Sequence, residues 1–581
     1  MTHCRALDIV PVIVWSGLGI RRFKSINSYT MKMTKRESAW SHLDKNPALA
    51  LNSFIASNSH DFNELVIFIN TILDVKGIEY IRAPFISGAQ LAYMENPVND
   101  FISLAYGPSE LLVHPIERLI LSIDFVKHSF VSVDKSKFLE TMRISHESFQ
   151  DLALLAGCDI CASFPLVSEP LARFSFGALL EIFSQFGNGI DLVKYYSNHA
   201  AMKKANYLQA FMKAKASVKY HFVLDQSSTT VSLCNEKLAG GLEDIFGKRF
   251  PDMVYFLFSQ CIISQDILLP FFSNVCIESP PLCNGDNNDY YKVVSEMEDF
   301  RKLVYSFVYS SLPENTFLDE VQVESKELGK KTLVLGKVEV GFRVVSPIIR
   351  ARECQKLETE FVNLAVVQRL RDTATTGKTF ADPDSVLFAI NDMLIEVSGL
   401  EMKECNEELI VLGKLLELNL IHGKKIKTPL NDNESITLIC RVMCLIKSSL
   451  VVPWKGELDR SLLEFHSVAK YVFKSYRLLS EALTLKLFTD NHNHLDPNGY
   501  KTLASRLPFR IESSTVMGLV FQKLLRGESI DGLGISNHDL RKGLDFWKQA
   551  VEYVTRYSQS HSEIFRKADL LMTPLSYLTN K

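Results

Sequence analysis

The sequence predicts an α/β domain with a parallel sheet, followed by mainly helical domains that contain a few short strands. Residues Asp8 to Val14 form an apolar, largely β-branched run before Gly17, which is typical of a strand buried on both faces of a parallel sheet. Apolar residues then recur at helical spacing from Phe62 to Leu73, and Gly77 ends this helix before a short strand, Ile78 to Ile81. Alternating strands and helices predict a parallel sheet covered by helices.

The next elements continue this alternation. Asp100 to Leu112 predicts another strand, with a turn at Tyr106-Gly107-Pro108, and Ser145 is expected to cap a helix. Longer helical patterns follow Cys161, and they include a lysine-bearing one from Met202 to Lys219. Later signals are a helix that Pro251 starts, Met253 to Ile263, short strands from Thr332 to Val345, a helix from Asp382-Pro383 through Leu394, and a capping-box pattern at Ser536 and Asp539.

These patterns divide the chain into four expected regions. They are an α/β domain over 1–200, a middle domain over 201–300, a linker with short strands over 301–335, and a mainly helical interaction domain over 336–581. We expect the last region to carry the main protein-binding surface, because helical domains of this size present grooves for peptides.

The composition and net charge of the chain exclude some classes of protein. The chain has 581 residues, of which 47% are hydrophobic and 23% charged, as in soluble globular proteins. A net charge of −3 argues against wrapping of a polyanion through bulk charge. Eleven scattered cysteines indicate free thiols in a reducing compartment. The apolar run Ile9 to Ile20 is interrupted by Pro11 and Trp15, so we interpret it as a buried strand and expect a cytosolic protein without membrane spans.

Three stretches resemble, in their sequences and in their order along the chain, the core of a metal-dependent flap endonuclease. They are Asp8 to Gly17, Lys76 to Pro84, and Leu152-Ala153-Leu154-Leu155-Ala156-Gly157-Cys158-Asp159-Ile160-Cys161. The resemblance implies a PIN-type nuclease fold. The first strand of that fold would precede Asp8, so the domain is expected to be truncated at its amino terminus.

The carboxylates of such a nuclease are mostly missing. Flap endonucleases hold two metal ions with a cluster of about seven carboxylates. The corresponding positions here are the relic acid Asp159 and the lost positions Ser16, Ile86, Gly88, Gly107 and Ser109. Glu95 and Glu110 offer no matching geometry. One carboxylate does not hold a pair of Mg²⁺ ions, so we predict no catalytic residues, no metal and no other cofactor, and expect Asp159 to be a helix-end or turn residue.

The same pattern resembles the maintenance-of-killer-toxin family of post-transcriptional regulators, which carry a degenerate flap-endonuclease-like region. Asp244 to Leu257 is similar to the middle domain of that family, and the helical half from about Val340 is similar to its carboxy-terminal domain. The resemblance implies a catalytically inactive regulator of mRNA translation or stability. Its implied partner is an ataxin-type poly(A)-binding-protein-binding protein, and its implied location is cytoplasmic, in mRNP granules or on polysomes.

Two other functions stay open at this point. One is an active structure-specific, Mg-dependent endonuclease with an incomplete gene model, and the other is a scaffold that does not contact RNA. The chain is expected to contact mRNA, either directly or through a protein partner. A direct contact would use the basic segment with Lys203, Lys204, Lys213, Lys215 and Lys219, whose charges would follow RNA phosphates while Tyr207 and Phe211 stack on bases. The alternative for this segment is a solvated helix face.

Several weaker motifs are interpreted as structural. Thr376 to Thr379 lacks the first glycine of a phosphate-binding loop, so a plain loop is predicted. His492 to His494 precede an Asp-Pro-Asn-Gly stretch that indicates an exposed turn, and the pairs Cys158/Cys161 and Cys440/Cys444 have no second pair that would complete a zinc site. Arg21, Arg22 and Lys24 are a second basic cluster.

Overall fold

The computed structural model describes most of the chain. The described residues are 4, 6–20, 26–57, 62–99, 101–167, 174–234, 241–278, 288–313, 316–325, 329–336, 383–384, 386–387, 390–391, 394, 406–421, 431–447, 454–491 and 495–575. They form two compact units. Unit 1 comprises Met1–Lys24 and Ile72–Cys261, and unit 2 comprises Ser25–Thr71 and Ile262–Lys581.

Short strands and many helices alternate along the described chain. The strands are β1 (Val12–Trp15), β2 (Glu79–Arg82), β3 (Ala105–Tyr106), β4 (Arg118–Asp124), β5 (Ser129–Asp134), β6 (Phe222–Leu224), β7 (Thr230–Ser232), β8 (Val275–Glu278), β9 (Glu320–Ser325) and β10 (Gly329–Val334). The helices are α1 (Ile26–Lys45), α2 (Pro47–Ala56), α3 (Phe62–Val75), α4 (Ser87–Glu95), α5 (Lys135–Met142), α6 (His146–Ala156), α7 (Phe176–Phe186), α8 (Gly189–Tyr195), α9 (Ala200–Lys204), α10 (Tyr207–Lys219), α11 (Glu243–Phe246), α12 (Asp252–Ser259), α13 (Gln265–Ser273), α14 (Asn288–Glu296), α15 (Glu298–Ser310), α16 (Glu407–Glu417), α17 (Asp432–Met443), α18 (Arg460–Asn491), α19 (Pro497–Arg506), α20 (Val516–Leu525), α21 (Asn537–Tyr557) and α22 (Gln559–Met572).

In unit 1, the first two strands pair in parallel, as predicted for them. Val12 lies beside Glu79 and Trp15 beside Arg82. The chain then approaches itself closely, because the Gly17 amide donates to the Phe85 carbonyl and the Leu18 amide to the Pro84 carbonyl. A methyl group on Gly17 would lie 1.9 Å from the Ala83 carbonyl oxygen, so only glycine fits there. The carboxyl ends of both strands therefore meet at one edge.

The second sheet of unit 1 differs from the prediction. The strand expected over Asp100 to Leu112 is only the two-residue β3, followed by a 3₁₀ turn, Ser109–Val113. Pro108 has no amide hydrogen for strand pairing, which stops the strand after Tyr106. The strand β3 pairs in parallel with β4, and β4 forms an antiparallel hairpin with β5 that the sequence analysis missed.

Helix ends in unit 1 are set mostly by local side chains. Ser145 caps α6 by accepting the Ser148 amide at 3.0 Å, as predicted. The helix expected from Met202 to Lys219 is two helices, since Asn206 adopts φ of 45° between α9 and α10. The helix expected to reach Ile263 ends at Ser259, because Cys261 has a positive φ that stops it.

Unit 2 surrounds the 32-residue helix α18 with other helices. Helices α14 and α15 pack on it, and a small sheet in the order β10-β9-β8 lies in the same unit. The described residues of the helix expected from Pro383 through Leu394 are helical. The predicted capping box is confirmed, because Ser536 and Asp539 accept each other's backbone amides at the start of α21.

The two units divide the chain at places that differ from the expected regions. Residues 301–310 are not a linker but the buried part of α15, whose Phe300, Leu303 and Val304 lie in the core of unit 2. Residues 25–71 belong to the helical unit instead of the α/β region, because Trp40 and Leu43 of α1 and Phe54 of α2 cluster with Leu463 of α18. The expected boundaries at 200, 300 and 335 do not coincide with this division.

Candidate functional site

The ends of β1 and β2 bring together the positions at which the nuclease resemblance places acids. Ser16 follows β1 directly, and Ile86, Ser87 and Gly88 follow β2. The Ser16 hydroxyl donates to the Ser87 hydroxyl at 3.0 Å and accepts the Ser87 amide at 3.3 Å. We call Ser16, Ile86, Ser87 and Gly88 the strand-end site. Its side chains are neutral, and the buried guanidinium of Arg82 lies beside them, with its Nε donating to the Ser16 carbonyl at 3.3 Å.

The space beside Gly88 is already filled. A methyl group at Gly88 would lie 2.6 Å from Cδ2 of His114 and 3.0 Å from a methyl carbon of Leu111. A methyl group at Gly107 would lie 2.6 Å from the other methyl carbon of Leu111. A glutamate or aspartate at Gly88 or Gly107 would therefore have to displace side chains that these glycines now admit.

Two buried histidines lie beside the strand-end site, and both are neutral. Nδ1 of His221 lies 2.9 Å from the Ser217 carbonyl oxygen, which only accepts, so Nδ1 carries the proton. Nε2 of His221 accepts the Ile86 amide at 3.1 Å. Burial lowers the pKa of His221 to about 4, and burial together with His221 and Lys135 lowers the pKa of His114 to about 3. Neutral imidazoles therefore lie where a metal-binding nuclease needs negative charge.

Lys135 adds a buried amine to this region instead of a carboxylate. Its Nζ lies 2.8 Å from the carbonyl oxygens of Leu112 and His114 and from Nε2 of His146. Burial lowers the pKa of Lys135 to about 8. A cation fixed by backbone carbonyls repels a divalent metal ion, which makes this part of unit 1 unsuited to Mg²⁺.

The acids near this region have structural partners or lie apart from it. The buried carboxylate of Glu95 accepts the Glu117 amide at 2.8 Å and the Arg118 amide at 2.7 Å, which positions the start of β4. Asp159 is exposed in a tight turn that two backbone hydrogen bonds between Cys158 and Cys161 close. Ser109 is exposed at the start of its 3₁₀ turn. Asp159 is thus a turn residue.

Neither a metal centre nor a membrane-crossing helix is found in the described part of the chain. Within those ranges, no group of three or more His, Cys, Asp or Glu side chains is arranged to hold a metal ion. No helix of the same residues combines the length and the apolar character that a membrane span requires.

The lysines of the basic segment have different surroundings. Lys203 and Lys204 are exposed on α9, and Lys213 is half-buried on α10. Lys215 is occupied, because its Nζ lies 2.8 Å from Oδ1 of the buried Asp151 and 3.0 Å from Glu147. Lys219 is exposed and lies over the ring of Tyr220. Lys215 joins α10 to α6 and is therefore not available for phosphate in this structure.

The rings expected to stack on bases are buried. Tyr207 and Phe211 are 1% and 0% exposed, so a base cannot reach their faces, and this expectation is wrong. The Tyr207 hydroxyl instead donates to the Ala162 carbonyl at 2.9 Å. The sequence contains no local signal for this burial, since α10 is covered by elements distant along the chain.

The weaker motifs have mixed outcomes. Arg21, Arg22, Lys24, Thr376 to Thr379 and His492 to His494 lie outside the described residues. The turn expected at Asp496 is instead a helix start, where Asp496 caps α19 by accepting the Gly499 amide. Cys440 on α17 and Cys444 directly after it are free and fully buried.

Two family models and several curated proteins match this chain. The amino-terminal and carboxy-terminal models of a family described as "Temperature dependent protein affecting M2 dsRNA replication" match residues 240–324 and 384–529. The post-transcriptional regulator MKT1 of Cryptococcus neoformans var. grubii is 23% identical over 609 residues, covering 90% of this chain and 79% of the relative. Its namesake from Saccharomyces cerevisiae is 20% identical over 601 residues, covering 82% of this chain and 71% of the relative.

A nuclease also matches part of the chain. Exonuclease 1 of Xenopus laevis is 23% identical over 238 residues, which cover 38% of this chain and 30% of that protein. The regulators align along most of the chain, whereas the nuclease aligns along little more than a third of it. The matched family models and the long alignments thus show that this chain is similar to the MKT1 post-transcriptional regulators along most of its length.

Proposed function

We propose that this chain is a post-transcriptional regulator of messenger RNA with a degenerate PIN-type, flap-endonuclease-like region that does not cut nucleic acid. The curated names of its relatives support the regulatory role. One observation carries the loss of catalysis. The strand-end site presents Ser16, Ile86 and Gly88 instead of acids, and the imidazole of His114 fills the space beside Gly88.

The chemistry of phosphodiester cleavage explains why this observation matters. Two metal ions must neutralise the attacking and the leaving oxygens, and carboxylates must hold those ions at a fixed separation. The strand-end site offers two hydroxyl groups and backbone amides, and two neutral imidazoles lie beside it. Such groups bind Mg²⁺ weakly compared with a carboxylate cluster. The function proposed here is therefore recognition without hydrolysis.

Regulation then depends on what the chain assembles with. We propose that it acts through protein partners in cytoplasmic mRNPs and that an ataxin-type poly(A)-binding-protein-binding protein is one of them. Large helical surfaces such as those of unit 2 suit peptide recognition. Co-purification of the full chain with that partner, followed by sequencing of the bound RNA, tests this part of the proposal.

A tethering experiment tests the regulatory role. The chain is fused to a heterologous RNA-binding peptide and directed to a reporter message that carries the cognate hairpins. We expect the reporter protein or the message level to change relative to the peptide alone. No change with correctly expressed fusion protein would refute the role.

A cleavage assay separates this role from that of an active endonuclease. Purified chain with Mg²⁺ or Mn²⁺ is incubated with flap and single-stranded substrates, and Asp159→Ala serves as the matched variant. We expect cleavage at background for both proteins. Metal-dependent cutting that Asp159→Ala abolishes would show that the nuclease alternative is correct.

A further inference from the structure

One segment of unit 1 concentrates positive charge in a chain that is acidic as a whole. Residues Gly189 to Lys219 contain six lysines and one acid, Asp191, whereas the whole chain has a net charge of −3. Lys215 is paired with Asp151 and Glu147, so five of these lysines contribute to the local excess. The single acid is held locally, since the Asn188 side-chain amide donates to Asp191 at 2.7 Å. Such a local excess of lysine attracts polyanions even when the protein as a whole does not.

The exposed lysines of this segment differ from other lysines of unit 1. Lys127 and Lys137 form ion pairs with Asp124 and Asp134. In contrast, Lys194, Lys203 and Lys204 are exposed, and no acidic partner is found for them in the described part of the chain. Their charge is therefore available to a ligand. Lysines pair with phosphate as flexible point charges, which suits a backbone of variable course.

An exposed tyrosine, supported by two half-buried rings, adjoins these lysines along the chain. Tyr195 at the end of α8 is 70% exposed. It lies 5.2 Å from the ring of Phe186 and 4.9 Å from that of Tyr196, measured between centroids. These neighbours support one side of Tyr195 and leave much of it open to solvent. A large ring held this way loses little conformational freedom when a planar ligand stacks on it.

A short turn connects this cluster to the exposed lysines. The His199 amide donates to the Tyr196 carbonyl at 2.9 Å, and the Lys203 amide donates to the His199 carbonyl at 3.0 Å. Tyr195 is thus separated from Lys203 by a hydrogen-bonded turn and one turn of α9. Lys194 precedes Tyr195 directly. We call Phe186, Lys194, Tyr195, Lys203 and Lys204 the tyrosine–lysine surface.

We propose that the tyrosine–lysine surface binds single-stranded RNA, with a base stacked on Tyr195 and phosphates paired with Lys194, Lys203 and Lys204. The inference rests on the proposed function and names the place where the chain would touch its message directly. Single strands fit better than duplexes because only unpaired bases expose a face to an aromatic ring. Basic grooves with aromatic rings are the usual means of binding single strands without sequence preference.

The experiment measures binding of fluorescently labelled 12-nucleotide oligo(U) and oligo(A) to the full chain by anisotropy at several salt concentrations. We expect Tyr195→Ala to weaken binding about 10-fold, as for loss of one stacked base. Tyr195→Phe should restore binding because it keeps the ring. The double change Lys203→Gln/Lys204→Gln should reduce the steepness of the salt dependence by about 1.4, or about 0.7 for each lost phosphate contact.

Matched controls separate this surface from general charge and general exposure. Tyr106→Ala removes another exposed ring, which is 61% accessible, and Lys127→Gln/Lys137→Gln removes two exposed lysines that already have partners. Both controls should leave affinity and salt dependence unchanged. Thermal midpoints of all variants report whether the fold is intact.

The outcomes distinguish the inference from the proposed function. Absence of oligonucleotide binding, or binding that Tyr195→Ala and the double lysine change leave unaltered, would overturn the inference. Preference for duplex RNA, or for an acidic peptide used as competitor, would overturn it as well. Tethered regulation that persists in either case would leave the proposed function standing, since the tether replaces direct contact with the message.

Discussion

The strand-end region of unit 1 and the surroundings of α18 in unit 2 differ in how buried charge is balanced. In unit 1, the buried polar groups near the strand-end site include two neutral histidines, Lys135, which backbone carbonyls hold, and Arg82, which donates to the Ser16 carbonyl at 3.3 Å. In unit 2, acids and bases are buried together around α18. Arg477 is fully buried and lies 3.0 Å from Asp266 and 3.3 Å from Glu512, and Glu481 lies within 3.9 Å.

The network of unit 2 is balanced and widely connected. Burial opposes the charge of Arg477, but Glu512, Asp266 and Glu481 outweigh it and raise the pKa of the guanidinium. Glu481 also accepts the amide and the hydroxyl of Ser264 at 2.8 and 2.7 Å. The remaining ion pairs of the network join Lys470 to Glu64 and Glu512, Lys474 to Asp266, and Arg510 to Glu481.

This difference separates two kinds of buried acid in a nuclease-like protein, those paired with bases and those able to bind metal. Four buried or half-buried acids of unit 2 form ion pairs with four bases, so their charges stabilise the packing of helices and are not available to a metal ion. The acids are Glu64, Asp266, Glu481 and Glu512, and the bases are Lys470, Lys474, Arg477 and Arg510. A metal site requires acids whose charge only the metal compensates. In unit 1, the positions that resemble such a site contain no such acids.

The largest expected effect comes from unbalancing the network of unit 2. Arg477→Met leaves three acids without their shared base, and removal of one partner from a buried pair costs about 3–5 kcal/mol. The local free energy of unfolding from hydrogen exchange of α18 peptides measures this. The control Arg556→Gln breaks an exposed pair with Glu552 and should cost about 0–1 kcal/mol. Equal losses in the two variants would contradict the structural role of the network.

A second change tests the closed strand end of unit 1. Gly17→Ala places a methyl group against two backbone carbonyl oxygens, those of Ala83 and Pro84, which are unable to move independently. We expect destabilisation of about 1–3 kcal/mol, as for other overpacked sites. Gly19→Ala is the control, because nothing lies within 4 Å of its new methyl group. Chemical denaturation compares them, and a stable Gly17→Ala variant would indicate that the strand ends are loosely joined.

The stability of unit 1 is expected to depend on pH through the buried imidazole of His221. Histidine in the unfolded chain titrates near pH 6.5, whereas the folded pKa of His221 is about 4. Below about pH 6.5 the unfolded state binds more protons than the folded state. The contribution of neutral His221 to the free energy of unfolding is therefore fully present above pH 6.5 and is lost as the pH falls toward 4. His221→Gln should reduce the slope of stability against pH by up to about 1.4 kcal/mol per pH unit in this window.

Unit 2 should respond less to acid. Burial and Lys470 lower the pKa of His466 to about 4, which acts in the same direction as His221. Burial and Glu512 raise the pKa of nearby Glu64, and a raised carboxyl pKa stabilises the fold at low pH and loses that effect as the pH rises. Hydrogen exchange of peptides from both units between pH 5 and pH 7 should thus show a steeper slope in unit 1. A steeper slope in unit 2 would show that other groups dominate.

The smallest expected effect is that of restoring one acid. Ser16→Asp places a carboxylate beside the Ser87 hydroxyl without removing the neutral and cationic groups around it. We expect no metal-dependent cleavage and no shift of the melting temperature by Mg²⁺. Cleavage by this variant would mean that unit 1 retains the remainder of a catalytic site.

Sequence reasoning identified the features that depend on near neighbours. The caps at Ser145 and Ser536 and the parallel pairing of β1 with β2 follow from residues a few positions apart or from strongly apolar runs. The absence of acids at Ser16, Ile86 and Gly88 also follows from the sequence alone.

Features that depend on distant contacts were missed. The ion pair of Lys215 with Asp151 joins residues 64 positions apart, so the lysine gave no sign that its charge was already paired. The burial of Tyr207 depends on packing against Phe164 of a preceding turn. The hairpin β4–β5 was overlooked although Arg118 to Asp124 is rich in strand-forming residues.

The discontinuous build of unit 2 has a consequence for synthesis of the chain. Trp40 and Phe54 leave the ribosome early, but their partners on α18 follow much later, since Asp44 and its ion-pair partner Arg460 are 416 positions apart. At a synthesis rate of about 5–20 residues per second, α1 and α2 are made about 20–80 s before the α18 residues that cover them. During that interval their apolar surface is open to aggregation, so newly made chains should depend on ribosome-associated chaperones more than their folded stability suggests.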